Sequence, residues 1–193
     1  NPYLATGLGD FWRRWHISLS TWFRDYVYIP LGGNRHGHAR THVNMVLTML
    51  VSGLWHGAMW TFVLWGAVHA AGRVLTRELE RTAFYRDRVP VLAKQTLTFL
   101  VVTLAWVFFR AQSTSDAWLI LGRIFSSGLA DPAFPLLMAG LVLAIWLYQY
   151  VYESRFRRLL SAGPVRIALV VAMLLYMATV VTSGNQEFIY FRF

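Results

Sequence analysis

Two histidines in unusual company carry the first chemical signal in this 193-residue chain. His56 lies in Ser52-Gly53-Leu54-Trp55-His56-Gly57-Ala58, and the stretch from Val43 to Gly72 holds no Asp, Glu, Lys or Arg. A titratable imidazole is costly in hydrocarbon, so within a membrane-length apolar stretch it marks a functional site by default. A neutral imidazole can act as general base on a hydroxyl, and Gly53 and Gly57 leave room for a substrate to approach. The competing reading is a histidine that bridges two helices by hydrogen bonds. His16 lies upstream in Phe11-Trp12-Arg13-Arg14-Trp15-His16-Ile17-Ser18-Leu19-Ser20. On a helix it shares a side with Trp12, Ser20 and Phe23; the plainer reading is an interfacial histidine beside two arginines.

The remaining candidates are weaker. His69 follows His56 by thirteen residues, roughly 220° round an ideal helix, so the two need not face one site. His36, His38 and His42 fall in a basic stretch, with no acidic residue between Asp25 and Glu78 to complete a metal site. A solvated loop is the expectation there, and no metal is expected anywhere. Ser52 lies near His56, but no Gly-x-Ser-x-Gly elbow surrounds it. Asp10 and Asp25 could orient a histidine; they read equally well as a helix cap and an arginine partner. The chain has no cysteine, which excludes thiolate chemistry and disulfides.

The elements that must hold these residues are membrane-like. The chain is 56% hydrophobic and only 14% charged, against about 25% charged in a typical soluble domain. Residues 8–28 read as one amphipathic helix with Gly9-Asp10 as its cap, either interfacial or embedded. It should stop before Pro30. Gly32-Gly33-Asn34-Arg35 then forms a tight turn, followed by a basic loop to about His42. Four apolar runs follow, at about 43–71, 95–109, 134–152 and 165–183; against the roughly 20 residues of a spanning helix the first is long and the second short, and Gly53 and Gly57 could allow a break in the first. The expected fold is therefore an all-α polytopic membrane protein, with residues 1–42 forming the amphipathic helix and basic loop and 43–193 the transmembrane helices.

Charge supplies orientation. The net charge is +9, but the basic residues flank apolar runs, which argues for headgroups and topology rather than nucleic acid. The 72–94 segment carries Arg73, Arg77, Arg81, Arg86, Arg88 and Lys94, and the 153–166 segment Arg155, Arg157, Arg158 and Arg166. The 111–132 connection holds only Arg123 and the tail only Arg192. The positive-inside rule makes the first pair cytoplasmic and the second external. It conflicts at the first run, because residues 1–42 also carry five Arg. Either that run is re-entrant or residues 8–28 are embedded and outside the rule.

Longer blocks carry a family resemblance. Phe11 to Tyr26, Tyr28-Ile29-Pro30-Leu31-Gly32-Gly33-Asn34-Arg35, Ser52 to Ala58, Trp65-Gly66-Ala67-Val68-His69 and Phe188-Ile189-Tyr190-Phe191 resemble signatures of the membrane-bound O-acyltransferases. The likeness is greatest to the bacterial branch that contains alginate O-acetylases and the teichoic-acid D-alanylation membrane protein. Residues 1–70 carry it; residues 71–187 share mainly hydropathy. The family's domain has more spans than four, and the chain opens without Met, so it resembles that domain's C-terminal portion.

The resemblance implies an enzyme of the acyl-transfer class at a bacterial inner membrane. His56 would be the catalytic base. His16 would be the second site histidine, where eukaryotic relatives usually carry Asn. An acyl thioester, from acetyl-CoA or an acyl carrier, would enter from the cytoplasm, and the hydroxyl of an exported polysaccharide would arrive from the other face. No bound cofactor or metal is implied. Arg13, Arg14, Trp55 and Asn34 are the candidate substrate or donor contacts, with Arg24 and Arg35 as further cations. Expected partners are membrane lipid, the polysaccharide, and an acyl carrier or periplasmic acetyltransferase. The alternatives are a transporter or flippase component using a buried histidine relay, and a scaffold for a periplasmic transferase.

Overall fold

The computed structural model describes residues 1–127 and 136–180, and among them every regular element is a helix. The chain divides into two compact units, Asn1–Leu136 and Leu137–Phe193.

The first unit opens with a 3-10 turn at Pro2–Leu4, then α1 (Leu8–Arg14) and α2 (Ile17–Phe23). The single amphipathic helix expected over 8–28 is thus broken. Trp15 is extended and His16 is left-handed, with φ 41° and ψ 55°. The break frees the Trp15 carbonyl, and the Ser20 hydroxyl donates to it at 3.1 Å. The cap also differs from expectation: α1 starts after Gly7, and Asp10 in its first turn accepts the Thr6 N–H at 3.2 Å. This is the reach-back of an acidic side chain that satisfies free amides at a helix start. A five-residue π turn, Arg24–Tyr28, ends the segment.

The expected loop at 36–42 is helical. α3 runs from Gly37 to His56 and α4 from Trp60 to Arg81, so His38 and His42 lie on α3. The apolar run 43–71 is therefore no single segment: it breaks at Gly57, between the two helices. They pack antiparallel over their whole length. A Cβ on Gly66 would come within 2.6 Å of the Met49 carbonyl oxygen, and one on Gly53 would strike the Phe62 carbonyl. At the far end, His42 meets Glu78. α3 and α4 have 20 and 22 residues, about 30 Å each at 1.5 Å per residue. The hairpin returns the basic ends of α3 and α4 to one side, where Arg81 lies 3.1 Å from His38 Nδ1. Gly53→Ala or Gly66→Ala should force the helices apart and lower stability by about 1–3 kcal/mol. A thermal midpoint in detergent equal to wild type would refute this packing.

The 72–94 segment is also largely helical: α4 continues to Arg81 and α5 covers Ala83–Arg88. Thr82 caps α5 by accepting the Tyr85 N–H. α6 spans Val91–Arg110, longer than the 95–109 run suggested, and is the one described helix long and apolar enough to cross a membrane. α7 (Thr114–Ser127) occupies what the sequence left as a connection.

α1 lies in the groove between α4 and α6. Leu8 and Phe11 are buried with Ala5 and Val102, while Trp12 also packs against Trp65, Ala105 and Phe108. α1 is thus packed into the helical core of this unit. α2 and the π turn are different: Ile17, Trp22 and Tyr26 are exposed.

The second unit contains α8 (Leu136–Glu153), α9 (Arg157–Leu160) and α10 (Gly163–Val180). Arg157 lies over the Tyr152 ring at 5.0 Å, which ties α9 to the end of α8. The Phe188-Ile189-Tyr190-Phe191 motif lies outside the described residues.

Candidate functional site

His56 is the last residue of α3, at the tip of the hairpin rather than in the middle of a span. Gly57 follows because no larger residue fits: a Cβ there would meet the Phe62 ring at 2.7 Å. The imidazole is half-buried in aromatic edges, with ring centroids at 4.9 Å from Trp55, 5.1 Å from Trp65 and 4.9 Å from Phe109. Such walls fix a ring's orientation while leaving its nitrogens free for a reactant.

His16 occupies the break between α1 and α2. It is the one non-glycine residue with positive φ among those described. It also lies close enough to His56 for the two charges to interact. The break lets α2 reach the hairpin tip, where Phe23 meets Trp55 edge-on at 6.3 Å. A bulky residue held in the left-handed region costs about 1–3 kcal/mol and persists where the surroundings impose it.

A cavity of about 520 Å³ opens between the α1–α2 segment and the hairpin. Trp12, Phe23, Met45 and Met49 form its apolar wall, and Ser52, one turn before His56 on α3, lies on its lining. Arg13, Arg24, Arg73 and Arg77 also line it. Gly9 allows this crowding, since a Cβ there would meet the Arg73 guanidinium at 2.6 Å. Asn34 accepts hydrogen bonds from the Tyr28 hydroxyl and, at 3.4 Å, from Arg77.

The sequence candidates therefore separate. Arg13 and Asn34 line the cavity. Arg14 is engaged elsewhere: it pairs with Asp10 at 2.9 Å and donates to the Asn1 carbonyl. Trp55 is exposed at the hairpin tip and makes an edge contact with Phe23 of α2. Asp25 pairs with Arg24 at 2.7 Å, and that hydrogen bond holds its carboxyl below the usual range. Neither Asp10 nor Asp25 is paired with a histidine. Arg35 does not line the cavity.

Arg73 and Arg77 were not singled out by sequence. The available signal was their spacing of four on α4, which places both on one helix face. In linear sequence both read as loop charges flanking an apolar run.

The histidine-rich stretch also gains an acidic partner that linear sequence hid. The hairpin brings Glu78 to His42, with Nε2 and Oε1 3.0 Å apart, and to His38. Arg81 completes the cluster, 3.1 Å from both His38 Nδ1 and Glu78 Oε2.

His69 is almost fully buried, at 1% exposure. The ideal-helix angle between it and His56 does not apply, because the helix breaks between them. Trp65 touches both rings.

Residues 5–115 match the profile of the membrane-bound O-acyltransferase family, and the chain belongs to that family. The matched segment takes in α1 through the start of α7. Among similar proteins is a probable alginate O-acetylase of Azotobacter vinelandii, 47% identical over 127 residues, which are 66% of this chain and 25% of that relative. A peptidoglycan O-acetyltransferase of Helicobacter pylori is 42% identical over 122 residues, 63% of this chain and 23% of that protein. A teichoic acid D-alanyltransferase of Streptococcus thermophilus is 36% identical over 81 residues, 38% and 20% respectively. The matches thus span about a quarter or less of these relatives' length.

Proposed function

We propose that this chain is part of a multi-pass inner-membrane O-acyltransferase that moves an acetyl group from a cytoplasmic thioester to hydroxyls of an exported polysaccharide. Family membership and the two O-acetyltransferase relatives support the chemistry. The observation that carries the mechanism is His56, held by three aromatic rings at the hairpin tip one helical turn from a cavity lined by four arginines.

In the reaction, His56 takes the proton of the acceptor hydroxyl as its oxygen attacks the thioester carbonyl. An oxyanion forms, the carbon–sulfur bond breaks, and the departing thiolate collects a proton. His16 polarises the carbonyl or stabilises the oxyanion. A thioester is already activated, so the scheme uses no metal. An acyl-carrier or periplasmic acetyltransferase partner, and contact with membrane lipid, belong to the same reading.

The charge pattern gives the topology. In this reading the α3–α4 hairpin presents both basic ends to the cytoplasm and α6 crosses the membrane, with further crossings supplied by the other apolar runs. The cavity arginines then lie toward the side from which an anionic donor arrives, where clustered positive charge raises its local concentration.

Labelled acetyl transfer from thioester to glycan, in membranes holding the full-length protein, tests this reading. A transporter would move glycan without acylating it. Arg73→Gln and Arg77→Gln should each raise the donor KM about tenfold with a smaller change in kcat, and flatten its salt dependence. Initial rates at varied donor and ionic strength check this. An unchanged KM with a lowered thermal midpoint would assign both arginines to packing alone.

A further inference from the structure

The mechanism leaves His69, a deeply buried titratable group, unused. His69 is 1% exposed and lies in the middle of α4, enclosed by aromatic rings. Phe11 stacks on it at 6.3 Å, and Trp12 and Trp65 meet it edge-on at 5.1 and 4.7 Å. Trp12 and Trp65 are themselves 5.9 Å apart, so three nitrogen-bearing rings are mutual neighbours.

One nitrogen of each ring has no hydrogen-bond partner. Trp12 Nε1, Trp65 Nε1 and His69 Nδ1 are all buried without a hydrogen bond. Buried polar groups in native proteins are almost always satisfied, and each exception calls for an explanation. An indole N–H can only donate, whereas a neutral imidazole offers one acceptor nitrogen. Two donors and one acceptor is the complement that a single water satisfies: it takes both indole N–H groups and gives one hydrogen to the imidazole. Buried waters make about three such bonds.

Trp65 gives this cluster its reach. His69 follows it by one turn on α4, and its other edge bears on His56 at 5.1 Å. Resting on the reading of His56 as base, we infer that His69 is a positioning residue: with Trp12 and one buried water it holds the Trp65 indole at the angle that orients His56. The nitrogen at the Nδ1 position, not only the ring's bulk, is what the device needs. His69 touches no reactant and takes no proton in the reaction.

The full-length protein in membranes supplies the test, with kcat and donor KM for His69→Phe and His69→Asn. Phe keeps the ring and removes the nitrogens; Asn keeps a polar atom near the Nδ1 position. His69→Phe should lower kcat about ten- to hundredfold, the scale of a catalytic group misplaced by an ångström or so, with donor KM unchanged. His69→Asn should recover most of that loss. Wild-type kcat in His69→Phe, or an equal loss in both variants, would overturn the inference. If His69→Phe fails to fold, His69→Asn decides alone: kcat within threefold of wild type supports the role, and a tenfold loss refutes it. His56→Ala serves as the reference. Full turnover by that variant would sink the acyl-transfer reading, whereas an inactive His56→Ala beside a fully active His69→Phe removes only the role of His69.

Discussion

His56→Ala in the full-length protein should lower acyl transfer by about 10²–10⁴-fold, the usual worth of a positioned general base. In the proposed reaction the acceptor is an ordinary hydroxyl, a weak nucleophile until its proton is taken in the transition state. Structure favours His56 for that task because its ring is fixed rather than merely near. Trp55, Trp65 and Phe109 hold it by their edges, and Gly57 lets the chain turn immediately after it. The same walls create the main objection to the experiment. Alanine removes a ring from an aromatic cluster, so a loss of activity could follow from collapse of the hairpin tip. His56→Gln answers this: it keeps polar volume against the three rings but cannot act as a base near neutral pH. Both variants should lose turnover alike while the donor still binds. Acyl transfer at the wild-type rate in either one would end the assignment. Retained glycan movement with no acylation in any form would favour a transporter.

The sequence made His56 legible for a physical reason. A titratable ring with no charge for some fourteen residues on either side has few bland explanations. Apolar runs were legible on the same ground, since their composition reports solvent and not tertiary contact. What stayed hidden depends on contacts between distant segments. The α3–α4 hairpin is set by Gly53 and Gly66 fitting against backbone on the opposite helix, and glycine in an apolar run carries no label for its partner. Breaks are similarly obscure. Trp15-His16 fits the helical stripe, yet the burial of Phe11 and Trp12 between α4 and α6 overrides local propensity there. Glu78 looked too far from His38 and His42 to matter until the hairpin returned it. Arg73 and Arg77 were visible as charges but not as a face, because the segment holding them reads as loop in hydropathy.

The second large effect concerns His16, where backbone and side chain can be separated. Its φ of 41° is a conformation that valine strongly resists, glycine adopts freely and asparagine tolerates. If His16 served only to turn the chain between α1 and α2, glycine would do as well. In the proposed reaction His16 instead has a chemical role, as a donor to the developing oxyanion. His16→Gly should therefore fold normally and lose about 10²–10³-fold in kcat, the scale of a missing oxyanion donor. His16→Asn should fold and regain part of the loss, because its amide N–H can donate where an imidazole N–H would. His16→Val should lose both activity and thermal stability, since it strains the break itself. Turnover and thermal midpoint measured across the three variants separate the roles. Wild-type kcat in His16→Gly would reduce His16 to a hinge and leave His56 to act without a second histidine.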